Sequence, residues 1–430
     1  MEFHYKDSAC VSDDEIKALS SSLSSYIEHL REIAEHDTYD EPECSIFLPY
    51  DNDLYEQIIR AKEEKISSRL KYVVVVGIGG SNLGTKAVYD ALKGHLETLN
   101  PNQFPKLLFA DTTDPESISH LSNLLTTETK DFSEIVINII SKSGETLETI
   151  VNAEAILQHL KAKFGENIIH RIVITCGIDS PLWKSAKEQN ITILGIPETV
   201  GGRFSVMSAV GLFPLSAIGF DIDKLRMGAQ DMRKTCLNKE MSENPALLSA
   251  TILFKQAKDG RTINTNFIFN PRLESLGKWY RQLLAESIGK NGIGLTPTVL
   301  IGSTDLHSVA QLHLDGPKDK VVTFISAKTD SNESVPNERI FPNIRIEVTG
   351  KKLSDIVSAT LESTKEVYKK KKIPYTEVVL QNISESSLGA FLQFKMLEIM
   401  YLGKLFGVNA FDQPAVESYK TATIDRLKQE

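Results

Sequence analysis

The chain of 430 residues is 41% hydrophobic, 24% charged and 7% aromatic, an ordinary globular composition that excludes collagen-like, disordered and disulfide-stapled classes. With 48 Lys and Arg against 57 Asp and Glu, the formal charge is −9, so a nucleic acid finds no global attraction and any bound phosphate must be held locally. At about 100–200 residues per domain, the length predicts two or three domains. Cys10, Cys44, Cys176 and Cys236 lie far apart with no CxxC pair, which points away from a zinc ribbon or disulfide framework and toward a reducing compartment. The opening Met1–Asp7 lacks a basic stretch followed by an apolar run, and nothing approaches the ~18 apolar residues of a membrane span. A soluble cytoplasmic protein with no membrane and no nucleic-acid partner is the expectation.

In chain order, residues 1–65 read as a helical arm, with Ile16, Leu19, Leu23, Tyr26, Ile27 and Leu30 at three- and four-residue spacing. From Tyr72 the texture changes to continuous apolar runs, Val73–Val76, Leu107–Ala110, Ile135–Ile140, Ile172–Ile174 and Ile191–Leu194, separated by helix-like segments such as Ala153–Phe164 and Pro181–Gln189. Such runs suit a parallel sheet covered on both faces. After the predicted helix Pro245–Ala257, a second series follows at Phe267–Phe269, Val299–Ile301, Val321–Ile325 and Ile344–Val348, with the helix Gly277–Ile288 among them. Leu353–Lys370 reads as an amphipathic helix with a basic end, and Leu388–Phe406 as a buried one. The divisions expected are an arm at 1–65, α/β units at 66–205 and 206–405, and a C-terminal segment at 406–430, with the boundary between the units in Pro197–Gly219.

Several loops carry residue types suited to anion binding and proton transfer. Gly77-Ile78-Gly79-Gly80-Ser81-Asn82-Leu83-Gly84 follows a strand, where glycines let backbone N–H groups approach an anion. As a dinucleotide fingerprint it fails, because Asn82 stands where the third glycine belongs, although Asp111 ends the next strand; a tight turn without ligand is the plain alternative. Ser141-Lys142-Ser143-Gly144-Glu145-Thr146 combines hydroxyls, a cation and a helix start, and reads either as an anion nest or as an ordinary capping cluster. Glu198-Thr199-Val200-Gly201-Gly202-Arg203-Phe204-Ser205 sets an arginine fork beside paired glycines, suited to an oxygen that becomes anionic or to a solvated linker turn. Glu286, amid apolar helical neighbours before Gly289, suits a partly desolvated base or a paired helix-end acid. His307 and Lys420 could serve chemistry or be routine surface residues, and His29 and His36 have no metal-ligand spacing. No HExxH, P-loop or GxSxG motif is present.

In this order, from about Val73 to Lys420, the segments resemble the glucose-6-phosphate isomerase family. Glu198–Ser205 and Gly403–Lys420 come close to its signatures, and the length and the Ser303–Ser308 segment resemble the compact bacterial form. The resemblance implies two sugar-isomerase (SIS) type α/β domains, each with a five-stranded parallel sheet flanked by helices, plus the N-terminal arm and C-terminal helices. It also implies a homodimer whose subunits share active sites, and no cofactor or metal. By motif position, Ser81, Ser141, Ser143 and Thr146 would bind a sugar phosphate beside Lys142, with Gly80 and Gly202 in the cradle and Gln413 touching substrate. Glu286 would be the base and Arg203 would face the reacting oxygens; His307, contributed by the neighbouring subunit, and Lys420 would open the ring. Ser143-Gly144-Glu145 departs from the threonine and bulky residue of animal members, and Ala415 from a glycine common in bacterial ones.

The reaction implied, an aldose–ketose isomerisation, needs one carboxylate to move a proton between adjacent carbons and a fixed cation to favour the enediolate. A phosphate remote from those carbons supplies orientation. The rivals are a sugar-phosphate-binding regulator, which would lack the base, an NAD-dependent dehydrogenase, which would need the missing glycine, and an amino-sugar isomerase, which would need an N-terminal Cys nucleophile.

Overall fold

The computed structural model describes every residue except 37, 95, 97, 98, 342, 344 and 430. The apolar runs become strands where both faces can be buried: β2 (Tyr72–Val76) and β4 (Ile135–Ser141) are buried at every residue, and β-branched side chains fill them. With β3 (Lys106–Ala110), β5 (Ile172–Gly177) and β6 (Thr192–Ile196) they form a five-stranded, wholly parallel sheet in the order β3-β2-β4-β5-β6. The chain leaves β2 for β3 on one side and returns to the other side for β4. The carboxyl ends of β2 and β4 therefore flank a topological switch point, the place where open α/β sheets hold ligands.

The second sheet has the order β1-β10-β9-β7-β8, built from β1 (Glu2–His4), β7 (Ile263–Ile268), β8 (Thr296–Ile301), β9 (Lys320–Ala327) and β10 (Tyr375–Leu380). Here three sequence expectations are corrected. The sheet is mixed, because β1 runs antiparallel to β10 while the other four strands are parallel. The N-terminal arm is consequently not all helix: Glu2–His4 is an edge strand, and its helices are Asp13–Ser21, Ser24–Glu35 and Asn52–Lys65. The strand expected at Ile344–Val348 is absent: Ile344 lies outside the described residues, and residues 345–348 have no strand, the first three being exposed. The slot beside β9 belongs to β10.

Helix starts follow local chemistry. Ser12 and Glu15 form a reciprocal capping box, and Asp114, Ser180 and Asn244 each cap a helix whose first residue is proline, where the missing N–H costs nothing. The helix Ala209–Ala217 is buried at every position, and Glu385–Phe406 along most of its length. One continuous apolar cluster runs from Val73 and Val75 of the first sheet through Phe213, Leu284 and Phe391 to Ile268 and Ile325 of the second. The helix Glu274–Ile288 lies within it, packed against both the helix Leu83–Lys93 that follows β2 and the strand β8. Its C-terminal end thereby meets the switch-point side of the first sheet.

Candidate active site

The glycine loop after β2 turns sharply, with Gly79 at φ +61°. Gly80 follows, and a Cβ there would lie 2.2 Å from the carbonyl carbon of Gly202. Only glycine permits that approach, so the two glycine-bearing turns, Gly79–Ser81 and Gly202–Phe204, meet backbone to backbone. Ser81 is half-buried at the end of the first turn, and Arg203 is carried by the second. Next to Ser81, buried Asn82 donates to Asp111 at 2.9 Å, which gives that acid a structural task.

The hydroxyl loop continues β4 into the helix Leu147–Phe164. Ser141 Oγ accepts from the N–H groups of Gly144 (3.1 Å) and Thr146 (3.4 Å) and lies 2.8 Å from Thr146 Oγ1. Ser143 Oγ accepts from the Glu145 N–H at 3.2 Å and lies 3.5 Å from the same threonine hydroxyl. Thr146 occupies the cap position yet makes no side-chain cap bond, so the capping alternative is set aside: its hydroxyl turns back into the loop. The cap side chain leaves the first-turn N–H groups of the helix unclaimed, and three hydroxyls cluster in the loop just before them, a setting that suits an anion. Lys142 between them is half-buried, its main-chain oxygen accepting from the Gly177 N–H at 3.0 Å. Burial pushes its ammonium below the ordinary lysine range, with Glu198 opposing and Arg203 adding to the fall.

Arg203 is the pivot, with a side chain only 1% exposed. Its Nε donates to Ser287 Oγ (2.8 Å), Nη1 to Gln413 Oε1 (2.6 Å) and Glu286 Oε2 (3.3 Å), and Nη2 to the carbonyls of Ala410 (2.7 Å) and Asp412 (3.0 Å). A guanidinium has five N–H donors, and all five have an acceptor here. Burial lowers its pKa while Glu286 and Asp412 oppose the fall. Glu286 is one-third exposed, and its second oxygen accepts from Gln282 Nε2 at 3.0 Å. Lys290, two residues beyond the helix end, donates to the carbonyls of Glu286 (2.9 Å) and Ser287 (2.8 Å) and pairs with Asp412 at 3.3 Å.

The structure thus gathers Gly80, Gly202, Arg203, Glu286 and Gln413 into one place, and Ser141, Ser143 and Thr146 into another at the end of β4, with Lys142 in electrostatic reach of Arg203. His307 and Lys420 are not brought to Glu286. His307 is exposed on the turn Thr304–His307 after the edge strand β8, a turn fixed by Asp305, which accepts from the Ile301 N–H and the Ser308 hydroxyl. Lys420 is exposed on the helix Glu417–Leu427 and bonds to Glu417 at 2.8 Å. Sequence reasoning missed Gln282, Ser287, Lys290 and Asp412. The signal for Gln282 was its position one turn before Glu286; for Asp412, its place beside Gln413. Among the described residues no group of three or more His, Cys, Asp or Glu could hold a metal ion, and no helix is long and apolar enough to cross a membrane.

The family model for phosphoglucose isomerase matches residues 52–428. The chain belongs to the phosphoglucose isomerase family. It is 34% identical over 408 residues to the probable glucose-6-phosphate isomerase of Methanococcus maripaludis, covering 95% of this chain and 88% of that one. It is also 38% identical over 358 residues to the glucose-6-phosphate isomerase of Methanocaldococcus jannaschii, covering 83% and 84%. Among solved structures, a hypothetical protein from Thermus thermophilus superposes with a TM-score of 0.86 at 28% identity, covering 99% of each chain. The glucose-6-phosphate isomerase of Chlamydia trachomatis shares the fold, with a TM-score of 0.79 at 20% identity over 99% of this chain and 88% of that one.

Proposed function

We propose that this chain interconverts glucose 6-phosphate and fructose 6-phosphate through ring opening and a cis-enediolate, a step of glycolysis and gluconeogenesis. One observation carries the reading: a buried guanidinium lies 3.3 Å from a carboxylate that is one-third exposed, in a chain of this family. Glu286 takes the proton from C2 and returns it to C1, so no redox partner is required. Negative charge then develops on the adjacent oxygens, and Arg203 is fixed in advance to favour it. Because every Arg203 donor is engaged, substrate oxygens take over Nη1 from Glu286 or Gln413, freeing the carboxylate for the proton and the amide for a sugar hydroxyl.

The phosphate sits against Ser81, Ser141, Ser143 and Thr146, with Lys142 supplying local charge on an otherwise acidic protein. Binding there, away from C1 and C2, orients the reacting carbons. His307, exposed at the outer end of the second sheet, serves ring opening in the site of a second subunit, and the chain works as a homodimer. Lys420 joins through movement of the C-terminal helix, none of whose described residues is buried. The four free cysteines support a cytoplasmic setting.

The test is fructose 6-phosphate added to purified, metal-stripped protein, with glucose 6-phosphate followed through a coupled dehydrogenase. Rapid conversion without metal is expected. No conversion, with binding still seen by calorimetry, would make the chain a sugar-phosphate-binding regulator.

A further inference from the structure

Beyond Phe411, whose ring lies 5.4 Å from that of Phe204, the chain runs out toward solvent. Among the described residues, the hydrogen bonds and ion pairs that tie Asp412 and Gln413 to the rest of the fold come from two cations, Arg203 and Lys290. They grip the same two segments in complementary ways. Arg203 takes the side chains of Glu286 and Ser287 and the main chain of Asp412; Lys290 takes the main chain of Glu286 and Ser287 and the side chain of Asp412. The Lys290 ammonium has three N–H donors and three oxygen partners, so no donor remains for a substrate. Its side chain is 11% exposed, and two of those partners are helix-end carbonyls that otherwise lack a donor.

We propose that Lys290 is a positioning residue that clamps the end of the helix carrying Glu286 to Asp412, and so holds Gln413 against Arg203. The proposal rests on the isomerase reading for its effect on turnover, but the clamp itself is a statement about the chain. Without Lys290, Arg203 alone must hold the segment, with N–H donors that it also offers to substrate, and misplacement of the reacting groups follows.

Lys290→Met, Lys290→Arg, Asp412→Asn and the Lys290→Met/Asp412→Asn double variant test it, through kcat and KM and through amide hydrogen exchange of a peptide spanning residues 408–416. For Lys290→Met the expected result is a kcat lower by about tenfold or more with KM changed by less than about twofold, and clearly faster exchange in that peptide. Lys290→Arg restores most of kcat, and the double variant is no slower than Lys290→Met, since the contact that Asp412→Asn weakens is already absent once Lys290 is replaced. Wild-type kcat in Lys290→Met, additive losses, or unchanged exchange would overturn the clamp. Should Lys290→Met fail to fold, Asp412→Asn decides, because that side chain is 49% exposed and can be replaced without opening the core. If the wild type itself shows no isomerisation, the isomerase reading falls, and the exchange experiment still decides the clamp.

Discussion

Gly80 and Gly202 touch through their backbones: a side-chain carbon on the first would sit 2.2 Å from the carbonyl carbon of the second. This contact sets the distance between the turn bearing Ser81 and the turn bearing Arg203, and therefore, in the function proposed above, the distance between the bound phosphate and the reacting oxygens.

Gly80→Ala is expected to drive the turns apart. Overpacking of this kind costs about 1–3 kcal/mol in stability, and a displacement on the scale of 1 Å costs on the order of 10² in kcat/KM. Thermal unfolding together with steady-state kinetics checks both; a stable variant with wild-type kcat/KM would show that the contact does not set the geometry.

The N-terminus fastens to the second unit through acids. The Ser12 N–H and hydroxyl both donate to Glu15, at 2.9 and 2.8 Å, and Lys255 pairs with it; together they hold its carboxyl at about 2, below the ordinary 4.5. Glu2 is likewise held at about 2, chiefly by Lys328 and Gln381. A carboxyl with a lowered folded pKa contributes stability above its unfolded pKa and loses it as pH falls through the folded value. Both contributions are therefore full above about pH 4.5 and disappear toward pH 2. Melting temperature measured across that window should fall less steeply in Glu15→Gln than in the wild type, and an identical slope would contradict the assignment.

Lys395 and Glu398 form an ion pair at 2.7 Å with both side chains fully buried, and Tyr280, on the helix of Glu286, donates to the same glutamate at 2.5 Å. Burial drives the lysine pKa down while the glutamate opposes it. Lys395→Met leaves Glu398 buried and unpaired, at a cost of about 3–5 kcal/mol. The double variant Lys395→Met/Glu398→Leu recovers a large part of that loss. Chemical denaturation of the three proteins measures it; a neutral single variant would mean that water reaches the pair.

Val73–Val76 and the glycine loop behind it were legible in the sequence because a strand buried on both faces must be a short apolar run, and a turn whose backbone meets another backbone must be free of side chains. Tyr375–Leu380 was not: Thr376 and Glu377 interrupt its apolar run, and its partner β1 comes from the opposite end of the chain. Ile344–Val348 misled because its alternation imitates a half-buried strand, while the place beside β9 is taken by β10. At the site, Arg203 was legible from its paired glycines, but its five acceptors were not. Two of them are main-chain carbonyls, which carry no residue signature, and all five arrive from more than eighty positions away. The exposure of His307 and Lys420 was equally hidden, since a loop histidine and a helix lysine read alike whether inside or outside a site.

In the proposed reaction Glu286, held by Arg203 and Gln282, moves the proton. Its most direct test is fructose 6-phosphate incubated in deuterium oxide with wild type and Glu286→Gln, following deuterium entry at the carbons that become C1 and C2. Exchange and isomerisation are expected to be slower by about 10²–10⁴ in the variant, with calorimetric sugar-phosphate binding largely kept. Wild-type rates of exchange in Glu286→Gln would contradict it.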